Sequence, residues 1–267
     1  MMKVYSFLWL ALSLLACDVV SAQGYEPMLI GGRPALKDEY PEVVYIRSGN
    51  ARCSATVIGP ETIMTAGHCV ADNGSIGPVG MIHTTLHTSF ETMDGILEED
   101  EVDFVKDQVV YTATCHQAPL YRDQVEDHDM ALCKTNKPMP GKYATVSKVG
   151  PKLGDQVYLS GYGCTQPGGG QGNDGVLRVG KAKVTKLPSG KDHWFYTQDK
   201  SALCFGDSGG PSFMVAKKHL VIGVNSRGNI KDLSLLTATF TPESLKFFED
   251  FAESESVKIC GVNVTCR

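Results

Sequence analysis

The 267-residue sequence predicts an all-β fold, a barrel or sandwich carrying one C-terminal helix. Short runs rich in Val, Ile, Tyr and Thr recur between Gly, Pro and Asn, helical apolar spacing stands out strongly only near the C-terminus, and no fixed-period repeat or Pro-rich linker interrupts the chain. In order, the runs are 42–47, following Pro41, and 54–58, ending at Gly59-Pro60. Next come 108–114, with Val109, Val110 and Tyr111, and 156–159, after Gly154. The run 176–187 is stopped by Pro188, and 220–225 ends on Asn225. The helix begins where Thr241 offers a capping hydroxyl and Pro242 suits the first helical position; Leu245, Phe248 and Phe251 then recur on one face.

Composition narrows the function classes. Hydrophobic residues at 42% and charged residues at 21% describe an ordinary globular chain able to bury a core, not a disordered one. A net charge of -5 is too weakly acidic and too mixed for a nucleic-acid surface, and nothing in the patterning signals an oligomer, so a monomer is expected.

Residues 1–22 read as an export signal. Lys3 precedes an apolar run from Val4 to Ala16, shorter than the roughly 20 residues that span a bilayer. Val20-Ser21-Ala22 then supplies small residues before a cut at Ala22, and no later apolar stretch is long enough for membrane insertion. The alternative is a lipid anchor at Cys17, since Leu14-Leu15-Ala16-Cys17 resembles a bacterial lipobox; the leucine at its middle position fits poorly. The expected location is therefore secreted, extracellular or periplasmic. Of nine cysteines, export removes Cys17 and leaves Cys53, Cys69, Cys115, Cys133, Cys164, Cys204, Cys260 and Cys266. An even number in an oxidising compartment implies disulfides, and no C-x-x-C pair argues for zinc, so no metal is expected.

Three local patterns carry chemistry: Thr65-Ala66-Gly67-His68-Cys69, His128-Asp129-Met130-Ala131-Leu132, and Gly206-Asp207-Ser208-Gly209-Gly210-Pro211. Singly, His68 reads as a core histidine, Asp129 as a strand-edge carboxylate and Ser208 as a turn residue. Together they supply a base, its orienter and a nucleophile. A serine hydroxyl needs an imidazole to take its proton, and the imidazole needs a carboxylate to fix its tautomer and stabilise its charged form.

With Ile30-Gly31-Gly32 ahead of them, these motifs make the chain from Ile30 to about Ser254 resemble the chymotrypsin/trypsin-like serine endopeptidases. The resemblance implies two packed six-stranded antiparallel barrels meeting near residues 135–152, with the catalytic cleft between them and a C-terminal helix. It implies a protease domain over 30–267 after a propeptide at 23–29, acting on protein or peptide substrates, met by protein inhibitors and needing no cofactor. His68, Asp129 and Ser208 would be catalytic, and the amides of Gly206 and Ser208 the oxyanion donors. Ile30 and Asp207 would form the activation pair, the new ammonium inserting beside the carboxylate. Leu29 departs from the Arg or Lys that many members carry before that cut.

By the same resemblance Ala202, six positions before Ser208, is the floor of the primary pocket, with no acid to bind Arg or Lys. Ser226, Arg227 and Gly228 form the strand that pairs with substrate, Arg227 standing where an aromatic often sits. Leu203 and Leu235 would narrow the pocket, giving a preference for small or modest apolar side chains before the cleaved bond. Cys53 with Cys69 matches the bridge beside the histidine. The usual downstream partner of Cys204 is missing, and Cys164 is the expected substitute. Cys115 with Cys133 and Cys260 with Cys266 complete the expected pairing.

Weaker signals have plainer readings. His83 and His87 are four apart, but the intervening residues read as strand. The acidic run at 98–101, with Asp94 and Asp103, is a solvated loop before it is a calcium site. The 168–172 tract lacks the ending of a phosphate loop and reads as a mobile surface loop, while Asn73 and Asn263 begin glycosylation sequons. The competing functions are a protease-fold binding or regulatory protein with weak catalysis, and an esterase using the same three residues.

Overall fold

The computed structural model describes residues 29–48, 51–70, 81–83, 110–121, 128–170 and 175–266. Residues 1–28, including Cys17, lie outside the described residues, as do Asn73, His87, the acidic run and residues 171–174.

The first barrel comprises β2 (Val43–Ser48), β3 (Ala51–Gly59), β4 (Thr62–Thr65), β5 (Met81–His83), β6 (Val110–Gln117) and β7 (Ala131–Thr135), in the order β2-β3-β4-β7-β6-β5. Every pairing in it is antiparallel, and β5 returns beside β2. The second barrel is built from β9 (Gln156–Gly161), β10 (Arg178–Lys186), β11 (Trp194–Gln198), β12 (Pro211–Met214), β13 (Leu220–Gly228) and β14 (Leu233–Ala238). Its hydrogen-bonded order β9-β10-β11-β14-β13-β12 closes on itself, because β12 pairs back to β9.

Two short strands extend the second sheet to eight, beyond the six expected. β8 (Thr145–Val146) lies parallel to β13, and β1 (Arg33–Pro34) pairs with Val179 and Arg178 of β10. The N-terminal segment thus crosses to the second barrel before the chain builds the first. Neither two-residue strand has enough length for a sequence period to register.

Alternation explains the long strands. In β10, Lys181 and Lys183 are exposed while Ala182 and Val184 face the core, the period of a pleated strand with one wet face. β13 is buried along most of its length. Among the described residues, four disulfides cross-link the fold, Cys53–Cys69, Cys115–Cys133, Cys164–Cys204 and Cys260–Cys266. Cys115 and Cys133 are directly opposed on β6 and β7.

The helix α1 (Pro242–Ser254) starts where the Thr241 hydroxyl accepts the Ser244 amide at 3.2 Å. Its buried face is Ser244, Phe247, Phe248, Phe251 and Ala252. Leu245 is only half-buried, so the expected stripe is rotated by part of a turn toward Phe247. The two barrels meet where β9 runs past β2 and β3; there Tyr162 donates its hydroxyl to the Val43 carbonyl at 3.0 Å, and its amide to Ser54 Oγ at 3.0 Å.

Candidate active site

His68 sits on a single 3-10 turn, Gly67–Cys69, that leaves β4 and is tied to β3 by Cys53–Cys69. Asp129 lies just before β7 and is fully buried, with its carbonyl held by Thr237 Oγ1 at 2.9 Å. Glycine at 67 is what lets the two approach, since a Cβ there would lie 3.1 Å from Asp129 Oδ1 and 3.0 Å from the Tyr121 ring.

Three donors converge on the Asp129 carboxylate. The His68 amide donates to Oδ1 at 2.9 Å, the His68 ring places Nδ1 2.7 Å from Oδ2, and Ser226 Oγ donates to Oδ2 at 2.6 Å. Burial works to raise the Asp129 pKa, but the His68 ring bond and charge, the Ser226 hydroxyl and the His68 amide together outweigh it and hold the carboxyl below its ordinary range. An ionised carboxylate accepts only, so Nδ1 carries the hydrogen and Nε2 is left as the acceptor. Ser226, which the sequence placed on the substrate strand, also completes this carboxylate's shell.

Ser208 lies in the loop between Cys204 and β12. Its hydroxyl donates to the Ser226 carbonyl at 3.4 Å and makes no hydrogen bond to His68. The loop is pinned to both barrels: the Ser54 amide donates to the Ser208 carbonyl at 2.8 Å, Ser54 Oγ donates to the Gly206 carbonyl at 2.8 Å, and the Gly209 amide donates to the Asn225 carbonyl at 2.8 Å. Only glycine fits at 209, where φ is 82° and a Cβ would stand 2.0 Å from Thr65 Oγ1. From Gly206 to Gly210 the amides of Asp207, Gly209 and Gly210 are bonded within the protein, whereas those of Gly206 and Ser208 have no partner among the described residues. Asn225, which the resemblance places at the start of the substrate strand, donates its side-chain amide to the carbonyls of Ser160 and Asp207 at 2.8 and 3.2 Å; neither this support of the loop nor that of Ser54 is expected from sequence. Each sits inside an ordinary strand run and carries no local signal.

Asp207 is buried, its Oδ1 accepting the Gly163 amide and its Oδ2 the Cys204 amide, both at 2.8 Å. Burial pushes its pKa up to about 7, against the pull of those two amides and the charge of Arg178. A Cβ at Gly161 or Gly163 would come within 2.5 Å of the carboxyl group.

Ile30 is buried, and its carbonyl accepts the Ala202 amide at 2.9 Å; no hydrogen bond or ion pair joins Ile30 to Asp207. Its neighbour Leu29 is fully buried with Leu159, Ala182 and Leu203 in the core of the second barrel, at a left-handed φ of 52° that leucine rarely adopts. A cut between Leu29 and Ile30 would strip that side chain from the core. A cut one residue earlier would keep it and release the φ constraint.

Ala202 is buried, with Cys164, Cys204 and Ile30 around it. Leu203, expected in the pocket, is instead packed in the barrel core, its amide donating to Ser234 Oγ at 3.0 Å. Leu235 is half-buried and lies opposite Arg227, whereas Ser234, not named from sequence, lies opposite Gly228. Arg227 stacks over the Trp194 ring at 5.4 Å. The described part of the glycine tract is anchored, since the Gly168 amide donates to the Ile230 carbonyl at 3.0 Å. The Asn263 side-chain amide is already committed to the Val257 carbonyl at 2.9 Å. Among the described residues, Cys53, His68 and Cys69 form the one group with metal-ligand spacing, and its sulfurs are joined in a disulfide, leaving no thiolate to bind an ion.

Comparison with known proteins places this geometry among relatives. The family model described as Trypsin matches residues 29–244. A trypsin-like protease of Streptomyces glaucescens is 25% identical over 254 residues, covering 89% of this chain and 86% of its own. Human kallikrein-2 is 28% identical over 204 residues, covering 68% of this chain and 74% of its own. Among solved structures, a mutant of human heparin binding protein superposes with a TM-score of 0.65 at 16% identity, covering 84% of this chain and 96% of that one.

Proposed function

This chain belongs to the trypsin family, and on that premise we propose that it is a secreted serine endopeptidase, made as a zymogen, that cleaves peptide bonds through Ser208, His68, Asp129 and an acyl-enzyme. The observation that carries the reading is a serine flanked by two unbonded amides, beside an imidazole locked on a buried carboxylate.

Asp129 holds the proton of His68 on Nδ1, so Nε2 accepts the Ser208 proton as Oγ attacks the scissile carbonyl. The hydroxyl must first leave the long 3.4 Å contact with the Ser226 carbonyl. Negative charge then develops on the carbonyl oxygen, where the amides of Gly206 and Ser208 receive it. His68 returns the proton to the leaving amine, and water repeats the sequence on the acyl-enzyme.

Residues 1–22 act as the export signal, and the segment after them is removed. Because the Leu29 side chain is seated in the core, we place the cut before Leu29 in preference to Ile30. The substrate backbone pairs along Ser226 to Gly228. Ala202, assigned to the pocket floor by the family resemblance and buried beside Cys164 and Cys204, supports a preference for small or modest apolar residues before the cleaved bond.

The test is a peptide library varied at that residue, cleaved by processed chain with Ser208→Ala as control. Cleavage lost in the control and favouring small apolar residues is expected. Ser208-dependent cleavage after Arg or Lys would overturn the pocket reading. Processed chain that ignores a serine-directed phosphonate would overturn the peptidase reading and favour a binding protein, the reading to which the absence of a Ser208–His68 bond lends its weight.

A further inference from the structure

The resembled family orders its oxyanion loop by inserting a freshly cut ammonium beside the carboxylate that precedes the serine. In this chain the same loop is shaped without that contact. The Asp207 carboxylate takes one amide from each of two segments: Gly163, which follows β9, and Cys204, at the base of the Ser208 loop. Those segments are joined by Cys164–Cys204, with Cα atoms 5.2 Å apart. The bridge thus includes the residue after one donor and the other donor itself. Two further bonds close the unit: the Cys164 amide donates to the Phe205 carbonyl at 2.8 Å, and the Asp207 amide donates to the Cys204 carbonyl at 3.1 Å.

Without a cross-link, holding both amides on one carboxylate requires two loops to be ordered together, and their freedom opposes it. A disulfide spanning 40 residues removes most of that freedom in advance. The usual downstream partner of Cys204 would have tied the loop to the substrate strand; here the tie runs to the segment that cradles Asp207. Meanwhile Leu29, still joined to the preceding residue, is already seated in the barrel core.

We propose that the Cys164–Cys204 bridge replaces the cut N-terminus as the device that holds the oxyanion loop in working shape, so that the precursor, although laid out and processed like a zymogen, is already reactive before the cut. The proposal rests on the serine endopeptidase reading above. Cys164 and Cys204 act as positioning residues: they set where the amides of Gly206 and Ser208 point and touch no substrate.

The experiment labels the disulfide-bonded chain, with its N-terminal segment attached, using a serine-directed phosphonate. Intact-mass detection reads the label and the state of the N-terminus on the same molecule. Uncut wild type is expected to react within about tenfold of chain cut before Leu29, and uncut C164S/C204S about 100-fold more slowly, the scale of losing an aligned oxyanion donor. In the cut chain the same double substitution is expected to cost less than about tenfold, because the ammonium then takes over at Asp207. A thermal melt checks that each variant is folded.

Uncut wild type that stays unlabelled while the cut chain reacts would overturn the proposal, as would uncut C164S/C204S reacting at the wild-type rate. If the double variant does not fold, the uncut and cut wild-type rates decide alone. Inertness of the cut wild type is a different failure, since it removes the peptidase reading itself.

Discussion

Replacing Asp207 by Asn in the uncut chain, in a Ser208→Ala background that removes the proposed nucleophile, isolates the cost of burying a carboxylate beneath the Ser208 loop. Burial lifts its pKa from 3.8 to about 7, with the Cys204 and Gly163 amides and the charge of Arg178 pulling the other way. Because the folded-state value lies above the unfolded one, the folded chain keeps a proton that the unfolded chain has released. Stability therefore falls as pH rises through that window, and the full cost is present above the folded pKa. At 1.36 kcal/mol per pKa unit the cost is about 4 kcal/mol. Asn is neutral and removes this slope. Its own penalty, one Asp207-facing amide left opposite an NH2 group, is about 1–3 kcal/mol and does not vary with pH. Urea unfolding of the two chains between about pH 4 and about pH 8 should find Asn the less stable at the acid end and the gap closing or reversing at the alkaline end. A stability difference that stays constant across the range would refute the buried-carboxylate reasoning. On the proposed pairing of a new N-terminal ammonium with Asp207, a chain cut before Leu29 should lose most of the slope.

Two further outcomes follow from the geometry of the site. Ser226→Ala removes the 2.6 Å bond to Asp129 Oδ2 but leaves both His68 donors; kcat/KM for a small peptide substrate is expected to fall about tenfold with KM little changed. Deleting Cys53–Cys69 by a double alanine substitution frees a loop of sequence separation 16. It should cost about 3 kcal/mol in denaturant unfolding and slow phosphonate labelling as well, since His68 lies on that loop.

Much of the fold was legible because it depends on local period. Alternating lysines in β10 and the Thr241-Pro242 start of α1 each state their structure within a few residues. What escaped was whatever depends on packing between distant segments. Leu203 looked like pocket lining, yet it belongs to the second barrel's core, because a side chain on an irregular segment has no period to say which way it faces. Leu29, expected just before a cut, is buried in that same core, a placement no local pattern states.

The sequence by itself determined the residue types of the candidate site and their chain order, the β-rich architecture, and the unusual cysteine at 164, since each is written in a few adjacent positions. Only the tertiary structure decided that Ser226 would cap the Asp129 carboxylate from 97 residues away, and that Ser54 would pin the Gly206 carbonyl from 152. It alone decided that two amides would meet on Asp207 across a disulfide. The reason is physical: a buried polar group must find partners wherever the packed chain brings them. That distance in space has no counterpart in distance along the chain.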